Sequence, residues 1–61
     1  MLIRKIEKFL RRTEMPATTF GRLAARDPRF VFDLRAGRIP RNPTERRVEH
    51  FMNIYEDRHA R

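Results

Sequence analysis

Apolar residues recur along this chain with the spacing of helices rather than strands. Over residues 2–13 the i, i+4, i+7 and i+8 positions of one helical face are occupied by Leu2, Ile6, Phe9 and Leu10. A second stripe over residues 43–58 contains Val48, Phe51, Met52 and Tyr55. It follows Asn42-Pro43, in which Asn42 is the expected helix cap. The pattern predicts an all-α chain whose first and last helices span 2–13 and 43–58.

Two shorter helices are predicted between these, over residues 16–26 and 28–36. Pro16 is tolerated in a first helical turn. Asp27-Pro28 marks the next helix start, because the aspartate can cap free backbone N–H groups and the proline loses no hydrogen bond. Gly37 is placed to end that helix in the left-handed conformation. Residues 1–61 are therefore expected to form a single compact four-helix domain.

The second predicted helix carries a glycine at its centre. Its apolar stripe is expected to contain Phe20, Leu23 and Ala24. A glycine inside a helix costs about 0.5–1 kcal/mol relative to alanine. Gly21 therefore indicates the close approach of another backbone, unless it is simply tolerated.

The third predicted helix has two different faces. With Pro28 at the origin and an advance of about 100° per residue, Phe30, Leu34 and Val31 fall at roughly 200°, 240° and 300°. The opposite side, at roughly 40° to 140°, holds Phe32, Ala36, Arg29 and Asp33. One phenylalanine is thus expected to face the core and the other to face outward.

Charge is the strongest global feature of the chain. Fifteen lysines and arginines stand against eight acidic residues, which gives a net charge of +7 and an isoelectric point near 11.5. Eight arginines but only three acidic residues lie between Arg22 and Arg47. This balance favours a polyanionic partner, such as DNA, RNA or an acidic membrane surface. A GC-rich genome would also raise the arginine content.

Composition argues on chemical grounds against several other classes of protein. There is no cysteine, and the two histidines lie nine residues apart without further ligands, so no metal site is expected. Neither a nucleophile–base arrangement nor a glycine-rich phosphate loop is present, so we expect no enzyme, no cofactor and no small-molecule ligand. No stretch approaches the ~18 apolar residues of a membrane span, and residues 1–10 are charged throughout. We expect a cytoplasmic protein without a membrane partner.

The second and third predicted helices are separated by only a residue or two around Arg26-Asp27. Two helices that meet through so tight a turn are typical of a helix-turn-helix. The residues and runs that fit such a family pattern are Phe20-Gly21, Ala24, Val31, Leu34 to Pro40, Thr44, Val48 and Phe51. Through them, residues 18–52 resemble the lambda-repressor-like (Cro/CI or Xre type) DNA-binding domain. The chain departs from that pattern at Ala25, where glycine is usual, at Arg26, where an apolar residue is usual, and at Arg35, where an acidic residue is common.

The resemblance implies a sequence-specific regulator of transcription, bacterial or phage in type, that binds double-stranded DNA as a homodimer. Helix 28–36 would enter the major groove. Arg29 is the candidate for bidentate bonding to guanine, Phe32 for packing on a thymine methyl, and Asp33 for a cytosine amino group or for holding Arg29. The expected phosphate contacts are Thr18, Thr19, Arg22, Arg35, Arg38 and Arg41.

Other interpretations remain open at this point. The protein could be an excisionase-like or architectural factor that bends DNA for a recombinase. It could also be a basic protein-interaction module, anchored by Phe32, that contacts RNA polymerase or another acidic partner. Phe32 could instead be buried at a dimer interface or under the last helix, and Asp33 could pair with nearby arginines. Ile54 lies off the apolar stripe of its helix and is a candidate for a dimer seam.

Overall fold

A computed structural model describes the backbone of residues 1–59 and the side chains of residues 1–58. The helices in this part of the chain are α1 (Leu2–Thr13), α2 (Ala17–Ala25), α3 (Phe30–Arg35) and α4 (Asn42–His59), and it contains no strand. The predicted all-α, four-helix class is confirmed. Positions 60 and 61 of the expected domain lie outside the described residues. None of the four helices is both long and apolar enough to cross a membrane.

The core contains most of the apolar residues that the periodicity placed in it. The buried apolar residues are Leu2, Ile6, Phe9, Leu10, Phe20, Ala24, Phe30, Val31, Leu34, Val48 and Met52. Every one of the four helices contributes to this set. Each helix therefore contributes apolar surface that it could not bury alone, and the domain depends on all of them packing together.

An aromatic cluster connects α1, α2 and α4. The ring centroid of Phe9 lies 5.4 Å from that of Phe20 and 5.3 Å from that of Tyr55, both in edge-to-face geometry. Phe51 packs edge-on against Phe20 at 5.6 Å. Such pairs contribute about 0.5–1.5 kcal/mol beyond the burial of their area. The cluster holds α2 against α1 and α4.

α2 and α3 are joined by four residues, 26–29, so the prediction of one or two was wrong. The left-handed residue of this connection is Arg26, with φ 55°, and its N–H donates to the carbonyl of Arg22 at 3.2 Å. The family pattern places its usual glycine at Ala25, one residue earlier. Here an arginine ends α2 instead. α2 and α3 are nevertheless consecutive helices joined by a short connection.

The expected close approach at Gly21 is confirmed. The N–H of Asp27 donates to the carbonyl of Gly21 at 3.0 Å, so the connecting backbone returns over the middle of α2. The Asp27 carboxylate also accepts a hydrogen bond, at 3.0 Å, from the N–H of Arg29. It therefore caps a turn formed by Pro28 and Arg29, and α3 begins at Phe30 rather than at Pro28.

α3 ends through Gly37, as predicted. Gly37 has φ +106°, and its N–H donates to the carbonyl of Leu34 at 3.0 Å. The next N–H, of Arg38, reaches back to the carbonyl of Asp33 at 2.9 Å. These two bonds form a Schellman motif, which satisfies carbonyls at the helix end.

Two expectations about side chains were wrong. The first bond of α4 runs from the N–H of Glu45 to the carbonyl of Arg41 at 2.9 Å, so Arg41 precedes the helix and Asn42 is its first residue, not its cap. Leu23 is 56% exposed rather than part of the core. Phe20 and Ala24 lie on the buried side of α2, and at about 100° per residue Leu23 lies outside that side.

Candidate nucleic-acid interface

The two faces predicted for α3 are present. Phe30, Val31 and Leu34 are buried, whereas Phe32 is 47% exposed. Among the described residues, α4 therefore does not cover the Phe32 ring. Since the buried residues anchor one side of α3, the other side is presented to solvent in a defined orientation. We call Arg29, Phe32, Asp33 and Ala36 the outer face of α3.

Arg29 lies at the start of this face, immediately before α3. Its backbone is held by the Asp27 carboxylate, which accepts from its N–H at 3.0 Å. Its side chain is exposed, and within the described residues no carboxylate pairs with its guanidinium. All of its side-chain donors are thus available to an external acceptor such as a guanine edge.

Phe32 is supported by an ion pair that reaches α1. The guanidinium carbon of Arg35 lies 5.7 Å from the centroid of the Phe32 ring, a cation–π distance. Arg35 in turn donates from Nε and Nη2 to the two carboxylate oxygens of Glu7, at 2.7 and 2.9 Å. The Phe32 ring therefore lies beside a guanidinium whose own position is determined by a residue of α1.

The ion pair between Glu7 and Arg35 shifts the pKa of both residues. The hydrogen bonds from Arg35, together with the positive charges of Arg35 and Arg11, hold the pKa of Glu7 below its ordinary value, against a smaller opposing effect of burial. The same hydrogen bonds raise the pKa of Arg35. The sequence gives no indication of Glu7, because 28 residues separate it from Arg35. The guanidinium of Arg35 is thus engaged by Glu7, unlike that of an arginine that is free to bind phosphate.

Asp33 pairs with Arg38. Nη1 of Arg38 lies 3.2 Å from a carboxylate oxygen of Asp33 and 3.3 Å from one of Asp27. The guanidinium carbon of Arg38 is also 5.5 Å from the ring centroid of Phe30. Arg38 thereby ties the residues before α3, α3 itself and the loop after it together. The pairing of Asp33 with a nearby arginine, one of the expected alternatives, is confirmed, and that arginine is Arg38 rather than Arg29.

The remaining phosphate candidates lie in the first and last turns of α2 and in the loop before α4. Thr18 is exposed and Thr19 half-buried in the first turn of α2, where backbone N–H groups have no partner within the helix. Arg22 and Arg41 are exposed, and no carboxylate of the described residues pairs with either. These four residues are available for contacts, whereas Arg35 and Arg38 are engaged.

Most arginines in the segment from Arg22 to Arg47 form no ion pair within the described residues. Of the eight arginines from Arg22 to Arg47, only Arg35 and Arg38 form ion pairs within the described part of the chain. The six without a carboxylate partner there are Arg22, Arg26, Arg29, Arg41, Arg46 and Arg47. A surface of this kind attracts polyanions at long range.

No protein-family model, curated protein or solved structure matches this chain. Among the described residues, no group of three or more His, Cys, Asp or Glu side chains could hold a metal ion. Function must therefore be inferred from the chemistry of α2, α3 and the residues that join them.

Proposed function

We propose that the protein is a sequence-specific DNA-binding regulator of transcription, which inserts the outer face of α3 into the major groove. The observation that carries this proposal is that Arg29, which has no carboxylate partner within the described residues, and the exposed Phe32 both belong to the outer face of α3. The opposite side of this helix is buried. The six arginines between Arg22 and Arg47 that form no ion pair within the described residues would attract the phosphate backbone. The resemblance to lambda-repressor-like domains points to the same activity.

Each residue then has a specific task. Arg29 would donate two hydrogen bonds to a guanine, and Phe32 would pack on a thymine methyl. Thr18, Thr19 and Arg22 would contact phosphate from α2. Asp33 would act through Arg38, which it helps to position, rather than on a base.

The size of α3 favours two copies acting together. Six residues of helix extend only about 9 Å, so one copy offers few base contacts. Two copies on an inverted repeat would double them, with half-sites about 10 base pairs apart. Such a homodimer would act in the cytoplasm, in association with the nucleoid.

The decisive experiment recovers and sequences the fragments of source genomic DNA that the purified protein retains at near-physiological salt. Non-specific binding is weak there, in the range of roughly 10⁻⁴ to 10⁻⁶ M. A few enriched sites that share an inverted repeat would bear out the proposal. Direct repeats beside an integration site would favour the recombination factor instead, and uniform recovery would refute sequence-specific binding.

The role of Arg29 is tested by Arg29→Ala on the recovered site. We expect discrimination against a changed guanine to fall by about 1–3 kcal/mol, since one bidentate contact is lost. The matched control is Arg58→Ala, which removes one exposed arginine from the last turns of α4. If both variants weaken all DNA sequences equally, Arg29 reads no base.

A further inference from the structure

A shallow groove of about 290 Å³ lies between α2 and α4. Two aliphatic side chains line it and are exposed to solvent, Leu23 at 56% and Ile54 at 40%. Half-buried Phe51 lines it as well. None of these three residues belongs to the outer face of α3, so their apolar surface has no part in DNA binding through α3.

The polar side chains that line this groove are basic or neutral. They are Arg26, Arg47 and His50, and no carboxylate of the described residues is among them. Neither arginine pairs with a carboxylate elsewhere in the described residues. An occupant would therefore meet an apolar surface flanked by two uncompensated positive charges.

We propose that this groove binds an acidic, amphipathic helical segment of a partner protein. Apolar side chains one turn apart on such a helix would pack on Leu23 and Ile54, as helices do in the grooves that recognise them. Carboxylates beside those side chains would pair with Arg26 and Arg47.

Each of the two other occupants would satisfy only one kind of surface. A second copy that docked here about a two-fold axis would bring the positively charged patches of the two copies together, and like charges repel across an interface. DNA would engage the arginines but would leave Leu23 and Ile54 without apolar contacts. An acidic amphipathic segment satisfies both kinds of surface.

The test uses two synthetic helical peptides of about four turns with identical leucine positions. One carries glutamate and the other lysine at the remaining sites. Each is titrated into the protein while the methyl NMR signals of Leu23 and Ile54 are recorded. We expect the glutamate peptide to shift both signals and the lysine peptide to leave them unchanged.

Variants then locate the binding. Leu23→Ser and Arg47→Glu should each weaken the glutamate peptide by about tenfold or more, the effect of losing a central interface residue. Ile39→Ser, which changes a side chain that is 89% exposed in the loop after α3, should not. Leu23→Ser should also leave DNA binding intact, so this proposal and the one for α3 can fail separately.

Three results would overturn the inference. One is equal binding of both peptides, which would show that charge plays no part. Another is the absence of any shift up to about millimolar peptide, since even weak segments bind in that range. The third is a shift of the two methyl signals with protein concentration alone, which would identify the groove as an interface between copies.

Discussion

The backbone of Asp27 lies directly against Gly21. A Cβ at position 21 would be only 2.3 Å from the carbonyl oxygen of Asp27, and it would also meet the Cβ of Phe30 at 3.4 Å. The neighbouring N–H of Asp27 donates to the carbonyl of Gly21 at 3.0 Å. The turn that orients α3 therefore requires position 21 to have no side chain.

We expect Gly21→Ala to lower the free energy of unfolding by about 1–3 kcal/mol, as overpacking typically does. The loss should appear even though alanine is the better helix former by about 1 kcal/mol. Urea unfolding followed by circular dichroism measures it. Gly37→Ala is the comparison, because its methyl meets open space and only the φ of +106° is unfavourable, by about 1–2 kcal/mol. If the free energy of unfolding of Gly21→Ala equals that of the parent protein, the turn can move away from the added methyl group.

The end of α2 allows a test of where the left-handed residue lies. Arg26 has φ 55°, a conformation that glycine adopts without strain. Arg26→Gly should therefore be neutral or stabilising by up to about 1 kcal/mol. Ala25→Gly should destabilise by about 0.5–1 kcal/mol, because Ala25 is still helical. Thermal unfolding of the two variants compares them, and the reverse order would place the turn one residue earlier, as in the family pattern.

The ion pair between Glu7 and Arg35 makes stability depend on pH. The pKa of Glu7 is lowered in the folded protein from its ordinary value of 4.5. The unfolded chain therefore binds more protons at acidic pH, and the contribution of the pair is present above that value and lost as the pH falls through the folded pKa. Glu7→Gln should cost about 0.2–1 kcal/mol at neutral pH, the range for a partly exposed pair.

The measurement is urea unfolding of the parent protein and Glu7→Gln at neutral pH and at about pH 3. The difference between them should shrink in acid. Asp57→Asn is the matched control, since Asp57 is exposed and forms no ion pair within the described residues. A difference for Glu7→Gln that stays constant with pH would mean that the variant acts through packing rather than charge.

Salt dependence distinguishes the free arginines from the engaged ones. If Arg41 contacts a phosphate, Arg41→Gln should reduce the slope of log K against log salt by about 0.9, the value for one contact on double-stranded DNA. Arg12→Gln should leave the slope unchanged, because Arg12 pairs with Glu56 between α1 and α4. Fluorescence anisotropy at several salt concentrations gives the slopes, and equal slopes for both variants would remove Arg41 from the interface.

Local patterns predicted the features that local geometry controls. The buried stripe of α1, the two faces of α3 and the glycine end at Gly37 follow from helical periodicity and backbone freedom. These depend on residues at most a few positions apart, so one sequence is enough to infer them. Gly21 belongs here too, because a glycine inside a helix already indicates a close neighbour.

The assignments that went beyond this level depended on how the helices cross. The exposure of Leu23 depends on where α4 meets α2. The engagement of Arg35 depends on the position of Glu7, and that of Asp33 on the loop that carries Arg38. The sequence by itself determined which residues could bind a polyanion or line a core. Only the tertiary structure decided which arginines are free and which apolar residues remain uncovered, because ion pairing and burial are set by contacts between distant segments.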